Sequence, residues 1–151
     1  MLRRTLIGAI AVATLTLSGP AFAQAQFGTS AEAKAMLDKA VAAVKADKAA
    51  ALDMMQKGEG GFKDRDLYAF CANAGDGIIT AHPALKGQNI ASIKDKSGKA
   101  LGEEMMKVAA EGKIAEVTYV WPRPGADTTP VAKVTYVTKA GDQICGVGYY
   151  K

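Results

Sequence analysis

Leu37, Val41, Val44, Lys48, the Ala51–Leu52 pair and Met55 fall three or four residues apart, the spacing that sets side chains on one face of an α-helix. The segment is rich in Ala and Lys and has neither Gly nor Pro before Gly58. The pattern therefore predicts one amphipathic helix of about seven turns. Thr29-Ser-Ala-Glu32 supplies a capping box at its start, and Gly58-Glu-Gly-Gly61 ends it. A helix of that length outruns a small core and must lie along one face of a sheet. Met36, Met54 and Met55 fit on it as packing residues.

Beyond Gly61 the period changes. Asp64 and Asp66 read as a polar turn, Asp66–Asn73 as a strand, Gly75-Asp-Gly77 as a bend and Ile78–His82 as a second strand, together a hairpin. Pro83–Ile93 follows neither period and is expected to be loop. The turn Asp95-Lys-Ser-Gly98 leads into a short helix, Lys99–Glu111, closed by Gly112. Three strand-like runs follow: Ile114–Trp121, Val131–Thr138 and Gln143–Tyr150. A wide loop at Pro122–Pro130 separates the first two, because Pro fixes φ and donates no ladder hydrogen bond. Ala140-Gly-Asp142 makes the second turn. Runs of strands with helices set to one side predict an α+β domain on an antiparallel sheet.

The start of the chain belongs to another category. Arg3 and Arg4, the apolar run Leu6–Leu17 and Ala21-Phe-Ala23 have the layout of a cleavable secretory signal over residues 1–23, with cleavage near Ala23/Gln24. The apolar run is short for a membrane span, and Ser18, Gly19 and Pro20 interrupt it. Residues 24–151 then form one domain, exported to the periplasm or beyond, and long enough for a single core. Without Arg3 and Arg4 the 19 basic residues become 17 against 15 acidic, a net charge of about +2. No basic cluster or Arg-interleaved aromatic run marks a nucleic-acid surface.

Several short motifs occur in order: Tyr68-Ala-Phe70, Ala74-Gly-Asp-Gly-Ile-Ile-Thr-Ala-His-Pro83, Leu85-Lys-Gly-Gln-Asn89, Asp95-Lys-Ser-Gly98, Val120-Trp-Pro-Arg-Pro124, Lys133-Val-Thr-Tyr-Val137 and Gly146-Val-Gly-Tyr149. Together, over roughly Ser30 to Lys151, they resemble the single Cache domains, extracytoplasmic small-molecule sensing modules of bacterial chemoreceptors and sensor kinases. The resemblance implies a PAS-like fold: a long N-terminal helix on one face of a five-stranded antiparallel sheet, and a ligand pocket under loops and a short helix on the other. It also implies a small organic acid as ligand, held by aromatic and cationic side chains. A receptor carries such a domain between two membrane spans. Here the chain stops at Lys151, so the expectation is a free-standing Cache protein that needs a separate membrane sensor to signal.

The only Trp and four of the five Tyr lie in the last three strands, where they make either a ligand pocket or plain core. Alternation puts Val117, Tyr119 and Trp121 on one face, and lets Ala132, Val134 and Tyr136 share it on the next strand. Lys133 would then point away unless a bulge intervenes, yet the resemblance sets it at the family's Lys-x-x-Tyr position, so it stays a candidate. His82, the only histidine, either donates to a ligand carboxylate or holds the following loop. Arg123, between two prolines, is a candidate anion contact, and Gly87-Gln-Asn89 could cradle a polar group through backbone N–H donors. No nucleophile–base pair, ligating cluster or nucleotide loop stands out, so neither catalysis nor a metal or cofactor is expected.

Cys71 and Cys145 fall on the first and last expected strands, which are central neighbours in PAS-like sheets. In an oxidising compartment they are a disulfide candidate, contributing about 3–4 kcal/mol in the chain-entropy model; two buried free thiols are the alternative. Two functions remain open. One is a binding module for a small metabolite. The other is a structural or interaction protein with the same fold and no small ligand, pairing with itself or a partner through the long helix.

Overall fold

The computed structural model describes residues 26–151. The secretory-signal assignment to residues 1–23 and the cleavage site after Ala23 lie outside the described residues.

The N-terminal helix begins as its capping box dictates. Thr29 Oγ1 accepts the Glu32 N–H at 3.3 Å, and Glu32 Oε2 accepts the Thr29 N–H at 2.7 Å. It is not one helix, however, but two: α1, Ser30–Ala46, and α2, Lys48–Lys57. Asp47 between them is extended (φ −153°, ψ 95°). Its N–H still closes α1 on Ala43, while its carboxylate accepts the Ala50 N–H at 3.1 Å and opens α2. A carboxylate that can cap competes with helical continuation, and here the cap wins. Gly58, at φ 71°, closes α2 in the left-handed conformation.

The strands are β1 (Lys63–Asp64), β2 (Leu67–Asn73), β3 (Ile79–Ala81), β4 (Ala115–Pro122), β5 (Pro130–Ala140) and β6 (Gln143–Tyr150). Across the antiparallel sheet the order is β1-β2-β6-β5-β4, and β3 pairs with the other half of β2 on the same edge as β1. The sheet is thus five positions wide, with the outermost shared by two short strands. Pro122 and Pro130 face each other as the last pair of the β4–β5 ladder, so the wide loop starts where the ladder runs out of donors.

The predicted helix Lys99–Glu111 contracts to α3, Leu101–Val108. Ala109 turns extended because the chain beyond it is drawn onto β5: the Ala110 carbonyl accepts from Thr138 Oγ1 at 3.0 Å and from the Lys139 N–H at 3.2 Å. Within the 83–93 loop, Ile90–Ser92 forms one 3-10 turn. Gly102 of α3 lies so close to this turn that a Cβ would fall 1.6 Å from the Ile90 carbonyl oxygen.

Two cores result, one on each face of the sheet. On one face, Ala33, Leu37, Ala40, Val44 and Met55 of α1 and α2 bury against Leu67, Ala69, Cys71, Cys145 and Val147. Cys71 and Cys145 stand directly opposite each other in the β2–β6 ladder, with Cα atoms 4.1 Å apart, and are joined by a disulfide. That spacing belongs to a non-hydrogen-bonded antiparallel pair. On the other face, Phe70, Ile79, Ile90, Leu101, Met105, Val117 and Tyr119 pack beneath α3 and the 83–93 loop. Among the described residues, no helix is long and apolar enough to cross a membrane.

Candidate functional site

The α3 face of the sheet is lined in alternation by Tyr68 and Phe70 of β2, Val117, Tyr119 and Trp121 of β4, Lys133, Thr135 and Val137 of β5, and Tyr150 of β6. The register settles the question of Lys133. It stands directly opposite Tyr119 on β4 and Tyr150 on β6, so all three share a face with no bulge in the ladder. The grouping of Ala132, Val134 and Tyr136 with Tyr119 and Trp121 is therefore corrected. Tyr136 pairs with Glu116 and lies on the helix face, its hydroxyl 2.6 Å from Ser30 Oγ and its ring 5.7 Å from that of Tyr149. Alternation fixes faces within a strand; only the pairing of two strands says which faces coincide.

Two chambers open on this face. The inner one, of about 30 Å³, has room for about a water or a methyl group. Its lining is mostly apolar, with Phe70, Ile79, Leu101 and Met105 beside His82, Tyr119 and Trp121. The outer one, of about 230 Å³, lies between the 83–85 turn and the Pro-rich loop and is lined by Tyr68, His82, Trp121, Arg123, Asp127 and Lys63 among others. His82 and Trp121 border both. Trp121 is held edge-on to Tyr119, ring centroids 6.2 Å apart. Tyr119 in turn shares a hydrogen bond with Thr135 Oγ1 at 2.8 Å.

His82 follows β3 and stays in the wall. Its Nδ1 accepts the backbone N–H groups of Ala84 (3.0 Å) and Leu85 (3.2 Å), and its ring stacks edge-on to Tyr68. An Nδ1 that accepts leaves the proton of the neutral ring on Nε2, a donor on a side chain that lines both chambers. Burial, followed by the charge of Lys133, lowers the His82 pKa to about 4, so the ring is neutral at neutral pH.

Lys133 is 1% exposed, and its Nζ donates to the Tyr68 hydroxyl at 3.1 Å and the Tyr150 hydroxyl at 3.3 Å. The ammonium also lies 4.4 and 4.6 Å from the two ring centroids. Phenols and rings are neutral partners, and no carboxylate comes within ion-pair distance of it among the described residues. Burial lowers its pKa to about 7, an effect partly offset by the more distant Asp66. Space for the side chain comes from β6, since a Cβ at Gly148 would sit 2.3 Å from Lys133 Cε. The same environment pushes the surrounding phenols up: Tyr119 to about 12 by burial, and Tyr68 and Tyr150 above their ordinary value, also chiefly by burial.

The structure thus brings Tyr119, Trp121, His82 and Arg123 to the chamber walls, sets Lys133 directly behind Tyr68, and leaves Tyr136 on the opposite face. Tyr68 and Tyr150, which cage the lysine, and the apolar roof of Leu101 and Met105 were not singled out from the sequence. The alternation of Tyr68 and Phe70 in β2 was the available sign. The arrangement presents a neutral imidazole donor and a guanidinium on the walls of a small, half-apolar space, with a buried cation behind the Tyr68 wall, which suits an anion with a short apolar part.

Residues 21–150 match the family model described as Single Cache domain 2. Over 91 residues the chain is 36% identical to the methyl-accepting chemotaxis protein McpP of Pseudomonas putida; the aligned part is 58% of this chain and 16% of that receptor. A methyl-accepting chemotaxis protein from Vibrio parahaemolyticus superposes with a TM-score of 0.63 at 25% identity, covering 80% of this chain and 86% of that one. A Cache chemosensory domain whose structure was described for carboxylic acid recognition superposes with a TM-score of 0.57 at 28% identity, covering 78% and 85%.

Proposed function

Because this chain belongs to the single Cache domain 2 family of ligand-sensing modules, we propose that its paired chambers bind a small carboxylate outside the cytoplasm, and that the occupied domain is read by a membrane sensor. One observation carries the choice of an acid. Lys133 is a buried ammonium among hydroxyls and rings, with no anion beside it among the described residues. A charge buried without a counter-charge is costly, and a ligand carboxylate placed against it and the neighbouring donors would offset that cost. His82 and Tyr68, whose ring nitrogen and hydroxyl can donate, line the outer chamber as further partners for such a ligand. The inner chamber would take no more than a short apolar tail. The carboxylic acid recognition described for the solved Cache domain points the same way.

The test is thermal stabilisation of the protein by a panel of mono- and dicarboxylates, amino acids and amines at millimolar concentration. A ligand at about 100 times its Kd adds roughly 2.7 kcal/mol, several degrees for a chain of this size. A small acid should stabilise the wild type and not the Lys133→Met variant. Stabilisation by amines alone would overturn the assignment. A flat response to every class would favour the second function, an interaction protein without a small ligand.

A further inference from the structure

The outer chamber is rimmed by the loop from Pro122 to Pro130, and that loop is tied to the beginning of the described chain through one side chain. Arg123 sets its guanidinium carbon 4.2 Å from the Phe27 ring centroid and 4.9 Å from that of Tyr150. Its Nε lies 3.4 Å from Asp66 Oδ2, an ion pair in which neither atom has a hydrogen-bond partner among the described residues although both are buried. The other oxygen of Asp66 accepts the Gly28 N–H at 2.7 Å. Gly28 is itself wedged under β2, where a Cβ would fall 2.1 Å from Leu67 Cγ. Tyr150 completes the connection: its hydroxyl donates to the Pro122 carbonyl at 2.8 Å and accepts from Lys133 at 3.3 Å.

We propose that Arg123 is a strap, with Asp66 as its positioning residue, that couples the chamber loop to the lead-in of α1. Displacing the loop to admit or release a ligand disturbs Phe27 and Gly28, and so the first turn of α1 at Thr29 and Ser30. Two features make this a movable contact rather than a fixed one. An aligned Arg–carboxylate bond is 2.7–2.9 Å long and often doubled, whereas this pair is at 3.4 Å and single. Phe27 is also 41% exposed, so its contact with Arg123 is an important part of what holds the ring to the surface. Arg65 anchors the lead-in independently, through the Phe27 carbonyl at 2.9 Å and Glu32 at 2.6 Å. Losing the strap therefore loosens the lead-in without detaching it.

Amide hydrogen exchange on the full chain tests the coupling, with no ligand added. Phe27→Ala alters an exposed ring, a change the fold can absorb. It should speed exchange in the 123–129 loop about two- to fivefold, the size of a surface cation–π contact. Arg123→Gln touches no atom of Gly28 and should speed exchange at Gly28 and in the first turn of α1 to a similar extent. Asp66→Asn keeps an acceptor for Gly28 but removes the charge beside Arg123, and should speed exchange both in the loop and in the first turn of α1, to a smaller extent than Arg123→Gln. Changes confined to residues 26–33 in Phe27→Ala, or to the loop in Arg123→Gln, with β5 and β6 unchanged, would overturn the coupling. The outcome is independent of the chamber's ligand, so an empty acid screen would leave the strap standing, and a failed strap would leave the chamber assignment intact.

Discussion

Replacing Lys133 with Met should change how the stability of this protein depends on pH, and over a specific window. The folded-state pKa of about 7 lies below the ordinary lysine value of 10.5. Below pH 7 both folded and unfolded chains carry the charge, and the folded state bears the whole cost of burying it. Between 7 and 10.5 the unfolded chain holds a proton that the folded one has released, so stability rises with pH. At 1.36 kcal/mol per pH unit the gain between pH 7 and 9.5 is about 3 kcal/mol. The groups facing Lys133 do not mask it. His82, lowered to about 4, acts below about pH 6.5, and the raised phenols of Tyr68, Tyr119 and Tyr150 act with opposite sign only near pH 10 and above. Urea denaturation of wild type and Lys133→Met at pH 7, 8 and 9.5 reads the effect directly. The wild type should gain about 3 kcal/mol on the variant across that range. A carboxylate ligand should reverse the trend, because it needs the charged lysine: affinity should fall about tenfold per pH unit above 7, with proton uptake seen as a buffer-dependent binding enthalpy. Parallel stability curves for the two proteins would refute the reasoning and show that Lys133 keeps its proton in the empty site.

Gly148→Ala should act on the site from the neighbouring strand. A Cβ 2.3 Å from Lys133 Cε must displace the lysine, so carboxylate affinity in calorimetry should fall at least about tenfold, with a loss of stability of about 1–3 kcal/mol for overpacking. Removing the Cys71–Cys145 bridge by a double Ala substitution should cost about 4 kcal/mol in denaturant titrations, given the 74 residues it spans. Tyr136→Phe loses the bond to Ser30 and should cost about 1 kcal/mol in the same titrations. It should leave ligand affinity unchanged, since Tyr136 is on the helix face; a large loss of affinity would contradict that placement.

Much of the architecture was legible because its signals are local. The capping box at Thr29, the punctuation by Gly58, Pro122, Pro124 and Gly141, and the strand-like runs around Trp121, Lys133 and Cys145 each act over a few residues, and the elements appear in the expected order. The break at Asp47 was missed because the flanking Ala and Lys continue the helical pattern across it. A capping carboxylate is neutral evidence until the packing of α2 favours a change of direction. Asp66 looked like a turn residue, as its neighbour Asp64 did; its link to Gly28 and Arg123, 38 and 57 residues away, has no local sign.

The chain by itself determined an α+β domain on an antiparallel sheet, with the only Trp and four of the five Tyr concentrated in its last three strands. Those properties follow from hydrophobic period, turn chemistry and composition. Only the tertiary structure decided that Lys133 shares the chamber face and Tyr136 does not, since a strand's own alternation is silent on its register with the next. It also decided that the lysine is enclosed by Tyr68 and Tyr150 from two other strands, with Gly148 leaving the space. The site is an assembly of residues far apart in the chain, and its electrostatics follow from which of them are excluded from water together.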